Sequence, residues 1–268
     1  MDNSIENKKD PATIFKQIFA EADEAVAQLK SLMPQINQRI KQAVNNFSRI
    51  SQQVLEILAP TVQLIKEVLE KAPEATRNAL AILGQNGWYI SLNMPIDAVF
   101  ALSAKLTEGD VKTVDRLMCK YYEDHLEEIR EEIAKIVPHR QKVLESAFQA
   151  HKRGELELSI PVFLAQADGI CKEMLGYELY GKRNGVPKTS ELVDQFTADS
   201  IIAALLEPFR VPMPIAASSH ERDEGKVFLN RHQILHGEVV DYGTKLNSLK
   251  SISLLAYLCS VVKMIQDK

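Results

Sequence analysis

From Phe15 the apolar residues fall at Phe15, Ile18, Ala22, Ala25, Leu29, Leu32 and Ile36, in alternating steps of three and four. That spacing lays one stripe along a helix and is the seam of a coiled coil or bundle. Pro34 is expected to kink or interrupt the helix, after which the stripe resumes through Ile40, Val44, Phe47, Ile50, Val54 and Leu58 until Pro60 stops it. A helical arm over residues 1–60 follows. Its apolar edge needs a cover, and packing on its own domain or on a twin subunit ranks ahead of a membrane.

Residues 61–106 read as a connecting helical segment, with one helix near Val62 to Leu69, another near Glu74 to Leu83, and a turn at Gly84 to Trp88 that leaves Trp88 in the core. Asp110 can cap a helix whose apolar line runs Val111, Val114, Met118, Tyr121, Ile129, Ile133 and Ile136 before Pro138. The acidic run Glu123 to Glu132 reads as its solvated face. A further helix spans about His139 to Lys152 and closes at Gly154. Ser159 and Pro161 look like the cap and first turn of the next, which would reach Tyr180. Both faces of that helix are apolar except for Asp168, and a carboxylate there must have a partner. Residues 181–228, rich in Pro, Gly and polar side chains apart from a helical stretch at Ala198 to Leu206, read as a long excursion from the core. Asn247 to Gln266 is apolar on most sides and reads as a buried helix that anchors whatever precedes it.

Composition agrees with helices. The chain has 268 residues, 46% hydrophobic and 25% charged, with 11 Gly, 11 Pro and 6% aromatics, which disfavours sandwiches, barrels and propellers. The expected fold class is all-α: a helical bundle with a long amino-terminal helical arm. A net charge of −4 gives no general polyanion-binding surface, so any basic patch must be local. Cys119, Cys171 and Cys259 form no CxxC pair and read as buried thiols of a reducing compartment. Met1 to Asp10 lacks the order of a secretion signal, and the apolar run Ile252 to Val262 is shorter than the roughly 20 residues that cross a bilayer. The expectation is a cytoplasmic protein without a membrane span.

Chemistry concentrates in Asn230-Arg231-His232-Gln233-Ile234-Leu235-His236-Gly237, just before the terminal helix. Arg231 and His236 differ by about 140° on a helix, whereas His232 and His236 share a face. An arginine with a histidine suits RNA cleavage without metal. A neutral His236 can take the proton of a ribose 2′-hydroxyl, and the Arg231 guanidinium can neutralise the charge gathering on phosphorus. Asn230 or His232 would orient the phosphate or the leaving group. Asp168 is the supporting carboxylate, holding Arg231, fixing a histidine tautomer, or instead satisfying backbone groups at a helix crossing. Residues 225–268 carry six Lys or Arg (226, 231, 245, 250, 263, 268) against three acids (238, 241, 267). This makes Lys226, Lys245 and Lys250 candidate phosphate-binding residues, and Lys182, Arg183 and Lys188 add charge nearby.

Arg-x4-His alone is a weak signal, but its place between a long polar segment and a buried terminal helix resembles the HEPN superfamily of all-helical ribonucleases and nucleotide-binding relatives. Asn230 to Gly237, with Tyr242-Gly243-Thr244 and Asn247-Ser248-Leu249-Lys250, also resembles the end of a family of uncharacterised bacterial proteins. Ser159-Ile160-Pro161 through Asp168-Gly169-Ile170 resembles that family's other mark. The resemblance covers about residues 107–268, a HEPN-like domain with the insertion at 181–228. It implies a homodimer in which Arg231 and His236 of each copy line one RNA-cleaving groove, without metal or cofactor. It also implies a toxin or phage-defence role, with an antitoxin or regulatory protein as a partner for the arm.

Two other readings stay open. His232 and His236 have metal-ligand spacing, with His220, Asp223 or Glu224 as a third ligand for a metallohydrolase, although HExxH is absent. The chain could also be a helical adaptor in which Arg231 and His236 staple helices together. No GxxxxGK[ST], GxGxxG or GxSxG occurs, so kinase, dehydrogenase and serine-hydrolase readings have no local support. His125, His139 and His151 read as surface or helix-end groups.

Overall fold

A computed structural model describes residues 30–39, 71–197, 200–221 and 229–266. The chain divides into two compact units, residues 1–68 and 69–268. In the first, residues 30–39 form a helix, α1, that runs through Pro34 without a break and exposes Leu32, Met33 and Ile36. The proline removes one donor, which the helix tolerates here. The rest of the expected seam, on both sides of this stretch, lies outside the described residues.

The second unit is a helical bundle. After α2 (71–85) come α3 (Ile96–Thr107), α4 (Val111–Asp124), α5 (Leu126–Ile136), α6 (Gln141–Lys152) and α7 (Leu156–Leu175). Then follow a two-stranded hairpin, the short helices α8 (Ser190–Val193), α9 (Ile201–Leu205), α10 (Glu207–Arg210) and α11 (Arg231–Leu235), and finally α12 (Lys245–Gln266). The expectation of an all-helical fold holds, with the hairpin as the one sheet among the described residues.

The core is built around α12, which packs chiefly on α7 and also on α4 and α5, while α6 lies on α7. Leu249, Ile252, Leu255, Tyr257, Leu258, Val261 and Val262 of α12 are all fully buried. Its serines stay satisfied in that setting because Ser251, Ser253 and Ser260 donate back to the carbonyls of Asn247, Lys250 and Ala256. By length and composition α12 is long and apolar enough to cross a bilayer, but 78% of that stretch is buried inside its own fold.

Several boundaries differ from expectation for local reasons. The line from Val111 to Ile136 is two helices, capped at the start by Asp110, whose carboxylate accepts from the Thr113 N–H, and broken at His125. There the imidazole Nδ1 lies 2.8 Å from the Tyr121 carbonyl and the ring stacks on Tyr121. Helix α7 starts at Leu156, after the left-handed Gly154, so Ser159 and Pro161 lie inside it and are not its cap and first turn. It ends at Leu175 because Gly176, at φ 85°, turns the chain back, which leaves Tyr180 outside the helix.

Of the segment expected as a connector, residues 61–70 and with them the helix near Val62 to Leu69 lie outside the described residues, and the rest is not separate from the bundle. Ala79, Leu83, Trp88, Val99 and Leu102 share one core with the later helices, and Trp88 stacks on Tyr122 at 5.9 Å. Nor, among its described residues, is the insertion an excursion. Leu192, Val193, Ala203, Leu206, Phe209, Met213 and Ile215 are buried, and Tyr257 of α12 donates to the Leu205 carbonyl. Its hairpin pairs Lys182–Arg183 with Val186–Pro187 across Asn184 and Gly185, both at positive φ, the backbone that an Asn-Gly turn supplies.

Candidate functional site

The segment Asn230 to Gly237 folds as a five-residue helix framed at both ends. Asn230 is its N-cap, its side-chain oxygen accepting from the Gln233 N–H at 3.0 Å. Its amide nitrogen donates to the carbonyls of Pro214 and Ala217, both at 2.9 Å, and the residue is buried. At the other end Gly237, at φ 69°, sends its N–H to Ile234, and the Glu238 N–H reaches back to the Gln233 carbonyl at 2.8 Å. This pair of bonds is a Schellman closure, which needs the left-handed residue that glycine supplies. The helix thus carries Arg231 in its first position and His236 at its C-cap, separated by about 7.5 Å of rise and about 140° of rotation. Asn230 is corrected from a phosphate-orienting role to a structural one: its amide is spent on the cap and on the insertion.

Arg231 faces α7. Its guanidinium Nη2 lies 4.0 Å from Asp168 Oδ2, a long ion pair rather than a hydrogen bond, and its Cζ lies 5.3 Å from the centre of the Tyr180 ring. Asp168 Oδ1 meanwhile accepts from the Leu179 N–H at 2.9 Å, so this carboxylate serves both the arginine and the chain folding back after α7. The buried Nε of Arg231 has no hydrogen-bond partner among the described residues, yet 30% of the side chain remains exposed. Burial, reinforced by Asp168, raises the Tyr180 phenol well above its ordinary value, and the hydroxyl stays protonated, donating to the Leu164 carbonyl at 3.1 Å.

His236 is exposed, with its ring 4.3 Å from that of His232. His232 Nε2 in turn lies 3.3 Å from a carboxylate oxygen of Glu238. The loop after these histidines is pinned to the start of α7. Pro161 has no N–H, so the Glu157 carbonyl four residues earlier lacks its helical donor, and the Tyr242 hydroxyl fills the place at 3.0 Å. Asn247 donates to the Tyr242 carbonyl, and Thr244 caps α12 by accepting from the Asn247 N–H.

One turn into α12, Ser248 lies 2.7 Å from Nδ1 of the buried His151 and 3.3 Å from Ser159. Burial, with Lys245 and Lys152 nearby, lowers the His151 value, and Glu123 works against this. His151, in the last turn of α6, is a helix-end group as expected, but an interior one and not a surface one. The two phrases marked in the sequence, at 159–170 and 230–250, are thus in contact through Ser159 with Ser248 and Asp168 with Arg231.

The expected phosphate-binding lysines do not assemble. Lys250 is buried, its ammonium 3.4 Å from Asp115 and over the Trp88 ring, so its charge is an interior one. Lys245 is exposed but bonded to Glu123 at 2.6 Å, and Lys226 lies outside the described residues. The hairpin cations are also paired: Lys182 with Glu221, Arg183 with Glu191 and Lys188 with Glu178.

Among the described residues no group of three or more His, Cys, Asp or Glu side chains could hold a metal ion. His220 is exposed, and Asp223 and Glu224 fall outside the described residues. Cys119 is only partly buried, against expectation. Burial and then Asp115 and Glu123 push its thiol up to about 11, and burial pushes Cys171 and Cys259 up to about 12, so all three stay protonated at neutral pH.

The chain matches no family model, no curated protein and no solved structure. Sequence reasoning did not single out Tyr180, and it quoted Tyr242 and Ser248 only as parts of a phrase. Each acts through a partner at least sixteen residues away: Tyr180 on Leu164, Tyr242 on Glu157, Ser248 on His151. The Pro inside a helical pattern was the one local sign that a carbonyl would need an outside donor.

Proposed function

We propose that this protein is a metal-independent endoribonuclease that uses Arg231 and His236 at a groove between two copies of the chain. The observation that carries the reading is the framed helix α11. It presents a guanidinium held by Asp168 at one end and an exposed imidazole beside a second imidazole at the other. In the reaction the ribose 2′-oxygen attacks phosphorus and its proton passes to the neutral ring of His236. The Arg231 guanidinium balances the added charge on the phosphorane. The P–O5′ bond then breaks, and the 5′-oxygen takes a proton from an imidazolium, leaving a 2′,3′-cyclic phosphate and a 5′-hydroxyl. Because the two side chains leave α11 about 140° apart, a second copy is the economical way to bring both kinds of group to one phosphate. The resemblance to HEPN proteins adds a cytoplasmic toxin or phage-defence role, with the amino-terminal arm taking an antitoxin or regulator.

The test is cleavage of end-labelled RNA by the full chain in the presence of a chelator, with the products resolved by their termini. Wild type is expected to leave cyclic-phosphate ends, and His236→Ala and Arg231→Ala to lose about 10²-fold or more in rate while staying folded. An unchanged rate in His236→Ala overturns the mechanism. A second reading has its own support: Arg231 also ties α11 to α7 through Asp168 and to the chain returning after α7 through Tyr180, as a staple in a helical adaptor would. In that case wild type cleaves nothing, and Arg231→Ala lowers the melting temperature instead.

A further inference from the structure

Helix α7 ends at Leu175, and after the cap Gly176 the next four residues fold back along it rather than away from it. Two bonds fix this return: the Leu179 N–H to Asp168 and the Tyr180 hydroxyl to the Leu164 carbonyl. Leu164 and Asp168 are one helical turn apart, so a single turn of α7 fixes both the carboxylate and the aromatic ring that meet Arg231. The ring lies 5.3 Å from the guanidinium carbon, within cation–π range, on a tyrosine held in place by its packing against the hydrophobic core, to which the hydroxyl bond adds. Asp168 by itself is a loose restraint, because 4.0 Å leaves the guanidinium plane free to tilt. A planar cation over a fixed ring loses that freedom.

We propose that Tyr180 is a positioning residue: a cation–π platform that sets the plane of the Arg231 guanidinium, with Asp168 setting its direction, so that the exposed edge meets a phosphate in one orientation. The effect on turnover rests on the ribonuclease reading above; the platform itself does not. It predicts that the ring face, and not the hydroxyl, is what Arg231 needs. Removing the ring lowers the frequency with which the cation is correctly placed in the transition state, and so lowers kcat more than it raises KM.

The experiment has two arms on the full chain. In the first, the arginine Nε–Hε resonances are recorded by NMR, and that of Arg231 is identified by its loss in Arg231→Lys. In Tyr180→Phe it keeps the ring-current shift, and in Tyr180→Leu it moves to the position of a free arginine. An unmoved signal in Tyr180→Leu overturns the platform. In the second arm Tyr180→Leu is expected to lose about tenfold in kcat with KM changed less than about twofold, and Tyr180→Phe to recover most of it. A fall shared by both variants, tracking their melting temperatures, overturns the positioning role and leaves Tyr180 as packing. Should Tyr180→Leu not fold, Tyr180→Met, which keeps apolar length without a ring, takes its place in both arms. If wild type cleaves no RNA, the ribonuclease reading falls while the NMR arm still decides the platform.

Discussion

Lys250 illustrates how a residue's chemistry is decided by its surroundings. Read from the sequence, it adds to a basic tail; in the fold its stem lies against Gly87, its ammonium sits over Trp88, and burial lowers its value despite Asp115. Asp115 is also bonded to the Trp88 indole N–H at 2.8 Å and is partly exposed, so it keeps a partner if the lysine is lost. Lys250→Met, which removes a charge that burial disfavours and leaves Asp115 its indole partner, is therefore expected to keep the unfolding free energy in urea within about 1 kcal/mol of wild type or to raise it slightly. Asn230 teaches a related lesson. Asn before Arg231 and Gly after His236 bracket six residues in the order that a helix cap and a left-handed closure require, a pattern present in the sequence although Asn230 is read there as a phosphate-orienting group. The amide's two further bonds to Pro214 and Ala217 are not legible there, because they depend on where the insertion packs.

Among the elements, periodicity found the helical course of α4 and α5, though as a single helix, and read α12 as buried, because those helices bury one stripe or nearly their whole surface; α6 was placed by its range alone. Within the insertion it found the helical stretch that holds α9 but missed α8 and α10, which are too brief to show a period, and the buried residues supplied in ones and twos. The Asn184-Gly185 turn signal was present there and marks the hairpin. The most informative departure is Pro161. Tyr242→Phe removes the protein's donor to the Glu157 carbonyl at an exposed site that water can reach, and is expected to cost up to about 1 kcal/mol in the unfolding free energy. Pro161→Ala returns the helical N–H to that carbonyl. In the Pro161→Ala background the Tyr242→Phe cost should shrink, a coupling that a double-mutant cycle on chemical unfolding measures directly. Equal costs in both backgrounds would show that the tyrosine does not answer the proline.

At the scale of the whole molecule, the buried junction of α6, α7 and α12 links stability to pH. His151 has a folded value below its ordinary 6.5, so between the two values the unfolded chain binds a proton that the folded chain refuses. Stability is accordingly free of this penalty above about pH 6.5 and declines as the pH falls below it, until the folded imidazole also protonates. Melting curves from about pH 7.5 to 5 should show that decline in wild type, and less of it in His151→Gln. The junction also bears on synthesis. Helix α12 fills the centre of the bundle, yet the ribosome makes it after every helix that packs on it. A growing polypeptide in which α4, α5 and α7 have already left the exit tunnel has nothing to set between them. Their apolar stripes stay open to water, or to a chaperone, until Lys245–Gln266 emerges and closes the bundle from within.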